Sequence, residues 1–303
     1  MNYKFISKEN DSNKRLDVFL SENSDLSRSQ IKNLIDEKQV FLNGKNVKAG
    51  QKLKLGDEIN FDYILKEITD LKPQEIALEI VFEDDNLAVI NKPQGMVVHP
   101  AAGNFEGTLV NALLFHFKEN LSQSEDVRPG IVHRLDKNTS GLMLVAKNNK
   151  AHAYLANQIS NKTASRHYIA LVTGNFKNDS GQITTGIGRD KKNRKKMAVY
   201  PVGEQKLAVT NYKVLERYTG FCLVEFVLQT GRTHQIRVHA AHLGHPIVGD
   251  DVYGGNTKLY SSGQLLHSYK LEFVPLDGKE KLSFEIPLPE YFEKVISKLG
   301  KNY

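Results

Sequence analysis

The sequence predicts an α+β fold built on a mixed or antiparallel sheet, with a smaller α+β module in front of it. Three observations support this prediction. Strand-like segments outnumber helix-like segments, several strands follow one another directly, and the helices between them lack the regular alternation of a doubly wound fold. A length of 303 residues is enough for one large domain and one small one.

The small module is expected over residues 14–62. Apolar residues at helical spacing predict its two helices, at Leu16, Phe19 and Leu20 and then at Ile31, Leu34 and Ile35. A strand at Val40–Leu42 and a tight turn at Asn43 and Gly44 follow. Further strand positions are predicted at Leu53, Leu55, Ile59 and Phe61.

A charged linker is expected over residues 63–76, and a larger domain over residues 77–303. Apolar runs predict its strands at residues 87–90, 142–146, 168–172, 209–215 and 221–228, and helical spacing predicts helices at residues 109–117 and 152–160. The run at 142–146 is apolar at every position, which is typical of a strand buried on both faces of a sheet.

The chain carries excess positive charge, with a formal net charge of +6, which favours polyanionic partners. Residues 189–196 hold six cations and one anion without an apolar side chain. Such a run is either a solvated loop or an arm that contacts phosphate, and the two interpretations are compatible. The cations concerned are Arg189, Lys191, Lys192, Arg194, Lys195 and Lys196.

No feature of the sequence indicates secretion or a membrane. The single cysteine, Cys222, cannot form an internal disulfide. The first residues lack an apolar signal core, and no apolar run approaches the roughly 20 residues that cross a bilayer. We therefore expect a cytoplasmic protein that has no membrane partner.

The most informative segment is the polar stretch at residues 133–141, directly before the buried-looking strand. Asp136 lies among three potential cations, His133, Arg134 and Lys137. Positive neighbours keep a carboxylate ionised even when it is partly desolvated, and such a carboxylate can act as a nucleophile or a base. From this chemistry alone, an aspartate that caps a polar turn remains the alternative.

Several blocks in this part of the chain resemble the RluA-type pseudouridine synthase family. The signature is His133-Arg134-Leu135-Asp136, with Thr139-Ser140-Gly141-Leu142 and Ala146-Lys147 after it. Blocks at residues 91–100, 166–174, 230–239 and 244–250 agree with the family in the same order. The resemblance spans about residues 76–290.

The small module resembles the S4 RNA-binding domain. The matching residues are Arg15-Leu16-Asp17, Ser27-Arg28-Ser29, Asn43-Gly44 and Gly56-Asp57. One departure is Lys38, where that family often has glycine. The resemblance implies that Arg15, Arg28 and Lys32 face RNA phosphate, and the alternative for each is an ordinary surface cation.

The resemblance also implies roles in the larger domain. Asp136 matches the essential aspartate, and Arg237 matches the arginine that forms an ion pair with it. Tyr168 matches the tyrosine that stacks on the target base and takes part in removing its C5 proton. Arg134 matches the residue that enters the RNA stack, and Arg232 is a further expected RNA contact. From the residues alone, a tyrosine on an apolar strand such as Tyr168 is usually a core residue, and Arg232 and Arg237 would usually be surface cations.

The activity that follows is the isomerisation of uridine to pseudouridine in 23S ribosomal RNA of the large subunit or its precursor, with helix 69 as the target. A base within a stem must be flipped before its glycosidic bond can be reached. The reaction has no redox change and needs no activated donor, so no cofactor, metal or other small-molecule partner is expected.

Three alternatives stay open at this point. The chain could modify another RNA, or it could bind RNA without catalysis. A metal hydrolase is the third, because His234, His239, His242 and His245 lie close together in the sequence. That cluster has no cysteine pair and no His-Glu-x-x-His pattern.

Overall fold

A computed structural model describes residues 2–24, 28–48, 50–62, 71–100, 104–122, 128–193, 196–278 and 280–300. These residues form two compact units, one comprising residues 1–70 with 124–128 and the other residues 71–123 with 129–303. The predicted linker at 63–76 lies partly outside the described residues. None of the helices in the described ranges is long and apolar enough to cross a membrane.

The first unit is an antiparallel sheet with two helices packed on it. Its elements are β1 (Asn2–Ile6), α1 (Leu16–Asn23), α2 (Arg28–Asp36), β2 (Val40–Leu42), β3 (Lys45–Asn46) and β4 (Glu58–Asp62). The strand order is β1-β4-β2-β3. The predicted helices and hairpin are thus confirmed, and the apolar residues that predicted both helices are all buried in one core.

The strand positions predicted at Leu53 and Leu55 were wrong. Both residues precede the last strand, because β4 begins only at Glu58. Leu53 is buried in the core, but Leu55 lies in a turn and is 65% exposed. The first strand, β1, was not anticipated; it adds an edge to the sheet by pairing with β4.

The backbone conformation at Lys38 accounts for the glycine that S4 sequences often have at this position. Its backbone is left-handed, with φ at 60°. A residue with a Cβ is strained there by about 1–2 kcal/mol, whereas glycine is not. The departure from the family pattern therefore changes the cost of the turn and leaves its geometry in place.

The second unit is built on one large sheet. Its strands are β5 (Glu79–Glu83), β6 (Leu87–Lys92), β7 (Ser140–Ala146), β8 (Ser165–Thr173), β9 (Ser180–Arg189), β10 (Met197–Tyr200), β11 (Lys206–Tyr218), β12 (Phe221–Leu228), β13 (Leu266–Phe273) and β14 (Leu282–Glu285). Its helices are α3 (Leu109–Phe117), α4 (Asn149–Ser160), α5 (Gln235–His242) and α6 (Glu290–Ile296). Each strand and helix predicted for the larger domain is present.

The strand order is β10-β9-β11-β12-β8-β13-β7-β6-β5. β14 lies outside this order and pairs with residues 270–273, the carboxyl-terminal half of β13. The pairing of β13 with β7 is parallel. The other strand pairs within the described part of this unit are antiparallel. The mixed sheet of an α+β fold is therefore confirmed.

Both faces of the central strands are buried, as the continuous apolar run of β7 predicted. On one face Met143 and Val145 join a core with residues of α3 and α5. On the other face Leu142 and Leu144 pack with residues of α4. A separate cluster joins Ile169 and Leu171 of β8 to α6, so α6 lies on the face of β8 opposite to Tyr168.

Candidate active site

Asp136 lies in the loop that leads into β7, where β7 meets β13 in the parallel pair. The end of this loop is fixed by Ser140, whose Oγ lies 2.8 Å from His267 Nδ1 and 2.7 Å from the Tyr291 hydroxyl. Gly141 has φ at 111°, and a Cβ there would collide with the Ser268 backbone. Only glycine lets the two central strands approach so closely, which anchors the loop beside the sheet.

Lys92 also supports the loop that carries Asp136. Its ammonium group is fully buried and donates to the carbonyls of Pro93 (2.7 Å), Met96 (2.9 Å) and Lys137 (3.2 Å). Burial lowers the pKa of Lys92 to about 7, against the opposing effect of the Asp136 charge. Lys92 therefore holds the residue after Asp136 in place. It lies in a block that matched the family, but sequence reasoning gave it no role.

Arg237 of α5 connects two carboxylates. Its Nε and Nη2 donate to Asp250 at 2.6 and 2.8 Å, and its Nη1 donates to Asp136 Oδ2 at 3.1 Å. Burial opposes the charged form, but the bonds with Asp250 and Asp136 raise the pKa of Arg237 above its ordinary value. Arg237 therefore pairs with Asp136 through a single nitrogen, while Asp250 takes the bidentate contact and aims that nitrogen at Asp136.

Helix α5 is attached to the sheet by a buried polar network. Gln235 Nε2 donates to Thr210 Oγ1 at 2.8 Å, and its Oε1 accepts from the Arg232 backbone at 2.9 Å. His239 lies 2.9 Å from both Thr210 Oγ1 and Thr185 Oγ1. These bonds satisfy the polar groups that burial strips of water, and they fix the helix that carries Arg237.

His234 and Tyr253 complete the surroundings of the carboxylate. His234 Nε2 lies 4.0 Å from Asp136 Oδ2, and its Nδ1 lies 2.9 Å from the Tyr253 hydroxyl. The Tyr253 ring lies under the Arg237 guanidinium at 5.1 Å and under Lys196 at 6.0 Å. Burial lowers the pKa of His234. Sequence reasoning missed Tyr253, which stands outside the matched blocks.

Tyr168 and Asp136 line a common cavity of about 460 Å³. This volume is typical of pockets that hold a small organic molecule, which span about 300–1,000 Å³. Tyr168 is 4% exposed, and burial raises the pKa of its hydroxyl, so the phenol is protonated at neutral pH. Tyr168 belongs to the core cluster and also lines the cavity, and its stacking on a base stays a prediction.

Arg134 and Arg232 stand at the rim of this cavity. The Arg134 side chain is exposed, whereas Arg232 is half-buried and its Nε donates to the Leu207 carbonyl at 2.9 Å. The structure thus brings five expected residues together, and their roles stay predictions. They are Arg134, Asp136, Tyr168, Arg232 and Arg237.

His133 corrects the expected charge around Asp136. It is buried, and its Nε2 accepts a bond from the Leu144 backbone at 3.0 Å. Burial, aided by the Arg166 charge, lowers the pKa of His133 to about 3. His133 is therefore neutral at pH 7 and ties the loop to β7, so Arg237 and not His133 is the cation beside Asp136.

Three buried histidines predict acid sensitivity of the fold. Burial lowers the pKa of His133 to about 3 and those of His239 and His267 to about 4, from an ordinary value of 6.5. Between pH 6.5 and 4 the unfolded chain therefore binds protons that the folded chain does not. The contribution of these histidines to the free energy of unfolding is fully present above pH 6.5. It falls as the pH drops, by up to about 1.4 kcal/mol per histidine and pH unit.

Urea unfolding at pH 7.5 and pH 5 measures this effect. We expect His239→Gln to make the pH dependence shallower, because it removes one of the three groups. The control is His116→Gln, which replaces an exposed histidine. Equal stability of the wild type at both pH values would contradict the assignment of neutral buried imidazoles.

The described residues of the basic stretch lie at the tip of the hairpin between β9 and β10. Arg189 ends β9, and Lys191 and Lys192 are exposed at the tip. Lys191 lies 6.0 Å from the centre of the Tyr200 ring. Arg194 and Lys195 lie outside the described residues.

In the first unit, Lys32 is exposed on α2. Arg15 precedes α1 and forms a two-bond pair with Asp17, at 2.9 and 3.1 Å. The side chain of Arg28 lies outside the described part of the structure. The predicted phosphate contacts of this unit stay predictions.

The histidines behind the metal alternative do not converge. His234 contacts Tyr253, His239 contacts two threonines, and His245 stacks on Phe176 at 4.5 Å. Among the described residues, no group of three or more histidine, cysteine or acidic side chains is arranged to hold a metal ion.

Comparisons with known proteins agree with both units. A family model described as RNA pseudouridylate synthase matches residues 86–242, and a model described as S4 domain matches residues 14–59. The first match contains Asp136, Tyr168 and Arg237.

Two relatives are similar over most of the chain. One is an uncharacterized RNA pseudouridine synthase, YlyB, of Bacillus subtilis; it is 45% identical over 97% of this chain and 97% of its own. Another is the ribosomal large subunit pseudouridine synthase D of Neisseria meningitidis serogroup A. It is 45% identical over 94% of this chain and 78% of its own.

A solved structure shares the fold of the larger unit. Human RNA pseudouridylate synthase domain containing 1 superposes with a TM-score of 0.59 at 24% identity, over 76% of this chain and 90% of its own. The similarity therefore extends from the sequence to the fold.

Proposed function

This chain belongs to the RNA pseudouridylate synthase family and is an RNA-modifying enzyme, and we propose that it isomerises particular uridines of large-subunit ribosomal RNA, with helix 69 of 23S RNA as the target. Asp136 is the proposed catalytic carboxylate. The observation that carries this proposal is that Asp136 and Tyr168 line one cavity, while Arg237 is bonded to Asp136.

The geometry suits a flipped nucleotide. A uridine that leaves its stem exposes its base, and Tyr168 offers an aromatic ring inside the cavity. The exposed guanidinium of Arg134 at the rim would fill the gap that the base leaves in the RNA stack. Unstacking costs a few kcal/mol, and these two contacts would offset it.

The reaction breaks the N1–C1′ bond of the uridine, turns the base, and forms a C5–C1′ bond. A proton leaves C5 and a proton is gained at N1, so the product is an isomer of the substrate. Asp136 would act at C1′ during cleavage, where its bond with Arg237 orients it. Tyr168 would support the base and assist the transfer of the C5 proton.

Two features support a ribosomal substrate. A relative of 45% identity carries the name ribosomal large subunit pseudouridine synthase D. The S4 domain and the basic hairpin tip add cations that suit the phosphates of a folded RNA. Such a substrate would place the enzyme in the cytoplasm, where 23S RNA is assembled into the large subunit.

Nucleoside analysis of three RNAs tests the proposal. Unmodified 23S RNA, unmodified 16S RNA and a transfer RNA pool are each incubated with the enzyme, and the pseudouridine content is measured. We expect product in 23S RNA. Product only in 16S RNA or transfer RNA would show that the substrate is that RNA and not 23S RNA. Binding without product in any of the three would favour an RNA-binding protein.

The basic hairpin tip supplies a prediction for binding. The double change Lys191→Gln and Lys192→Gln should weaken RNA affinity roughly tenfold. The slope of log affinity against log salt concentration should become shallower by the amount that about one to two phosphate contacts contribute. A filter-binding series between 50 and 200 mM salt measures both quantities. The matched control is the double change Lys294→Gln and Lys298→Gln. These lysines lie on α6 and directly after it, and α6 packs on the face of β8 opposite to Tyr168. An equal loss in both double variants would show an effect of net charge alone.

A further inference from the structure

Arg166 is a buried cation that has no described partner. It is the second residue of β8, two residues before Tyr168, and is 5% exposed. Its Nε has no hydrogen-bond partner. Within the described ranges, no carboxylate lies within ion-pair distance of its guanidinium, and the ion pairs around Asp136 are those with Arg237 and His234. The proposed reaction chemistry gives Arg166 no role.

The guanidinium faces the catalytic cavity. Arg166 lines this cavity together with Asp136 and Tyr168. It lies against Gly231, which lines the same cavity, because a Cβ at Gly231 would stand 3.0 Å from Arg166 Nη1. Ser160, Lys162 and Thr230 also line the cavity and add hydroxyl and ammonium donors.

A buried charge without a counterion is costly, and proteins seldom keep one. The cavity makes the cost larger, since its other charged residues are three cations, Arg134, Lys162 and Arg232, and one anion, Asp136, which is already paired. A cation held in such a place needs an anionic ligand from outside the chain.

We propose that Arg166 binds a phosphodiester group of the RNA backbone next to the flipped uridine. This inference rests on the proposed function and extends it, because it names the contact that seats the nucleotide. The planar guanidinium presents two parallel N–H groups that match a phosphate. A uracil carbonyl is neutral and would leave the buried charge uncompensated. With the phosphate held at Arg166, the sugar and base would lie toward Asp136 and Tyr168.

The free protein gives the first test. Arg166→Met keeps an unbranched apolar stem and removes the charge, so the full-length variant should unfold about 2–4 °C higher than the wild type. Arg166→Lys, which keeps the charge, should not gain stability. A lower midpoint for Arg166→Met would show that the arginine has a structural partner, which would overturn the inference.

The second test uses a 23S RNA fragment that contains helix 69. Binding is measured in the Asp136→Asn background, so that no turnover occurs. Adding Arg166→Gln should weaken binding about tenfold and reduce the salt dependence by about 0.7 to 0.9, the value of one phosphate contact. Adding Arg166→Lys should preserve the salt dependence, and adding Lys298→Gln should change neither quantity. An unchanged salt dependence with Arg166→Gln would overturn the phosphate assignment.

Methylphosphonates identify the phosphate itself. Each linkage around the target uridine is replaced in turn by an uncharged methylphosphonate. One replacement should weaken binding with an intact Arg166 and have no further effect with Arg166→Gln. If every replacement acts equally on both proteins, Arg166 contacts no phosphate. If the wild type leaves the fragment unmodified, the substrate proposal fails instead, and the unfolding test still decides whether Arg166 is unpaired.

Discussion

Replacing Asp136 with asparagine is expected to reduce pseudouridine formation by roughly a thousandfold or more. The amide keeps the shape of the side chain but cannot carry the negative charge that acts at C1′. The side chain is 18% exposed and makes one direct bond, to Arg237. The fold should therefore tolerate the change, and RNA affinity should stay within about threefold, since the other cavity contacts remain.

Single-turnover kinetics with excess enzyme measure this effect, because they separate the chemical step from RNA release. A binding isotherm with the same RNA shows whether the substrate is still captured. A rate within tenfold of the wild type would assign the reaction to another group. A loss of rate together with a loss of binding would show that Asp136 serves the structure of the loop.

Asp250→Asn is expected to produce the second large effect, on stability as well as on activity. Asp250 is fully buried, and its two bonds to Arg237 compensate a guanidinium that is only 7% exposed. Removing one partner of a buried ion pair costs about 3–5 kcal/mol, because the other charge is left without compensation. Arg237 would also lose the contacts that aim it at Asp136, so the single-turnover rate should fall about a hundredfold or more.

Urea unfolding and the single-turnover rate are measured on the same preparation. The matched control is Asp179→Asn, which removes a carboxylate from Arg217 on the surface, where Asp179 is 84% exposed. An exposed pair contributes about 0–1 kcal/mol, so the control should unfold close to the wild type. If Asp250→Asn unfolds like the control and keeps its rate, Asp250 does not support Arg237.

Local pattern was enough to predict most of the fold. The buried run of β7 and the helical spacing of α3 and α4 were visible as periodicity, because burial on a face imposes the period of the element. The edge strand β1 was missed because it contributes only Tyr3 and Phe5 to the core, and two alternating positions are a weak signal. Leu55 misled for the opposite reason, since an exposed leucine is ordinary on a surface.

The site could be predicted only in part. The bond between Asp136 and Arg237 joins residues 101 positions apart, and no periodicity connects them, so the resemblance to a family brought them together. The support of the site is also non-local: Lys92 reaches Lys137 across 45 positions. Asp250 and Lys92 stood in matched blocks, but a motif shows that a residue type recurs and does not show which partner it contacts. The unpartnered Arg166 could be recognised only from burial.

Mapping pseudouridines at nucleotide resolution in 23S RNA tests the central claim most directly. Unmodified 23S RNA is incubated with the wild type and with Asp136→Asn, and modified positions are read by chemical mapping. We expect new pseudouridines in helix 69 with the wild type and none with the variant. Product elsewhere in 23S RNA would correct the target. Equal product from both proteins, or none from a wild type that is folded and binds the RNA, would contradict catalysis by Asp136 on this substrate.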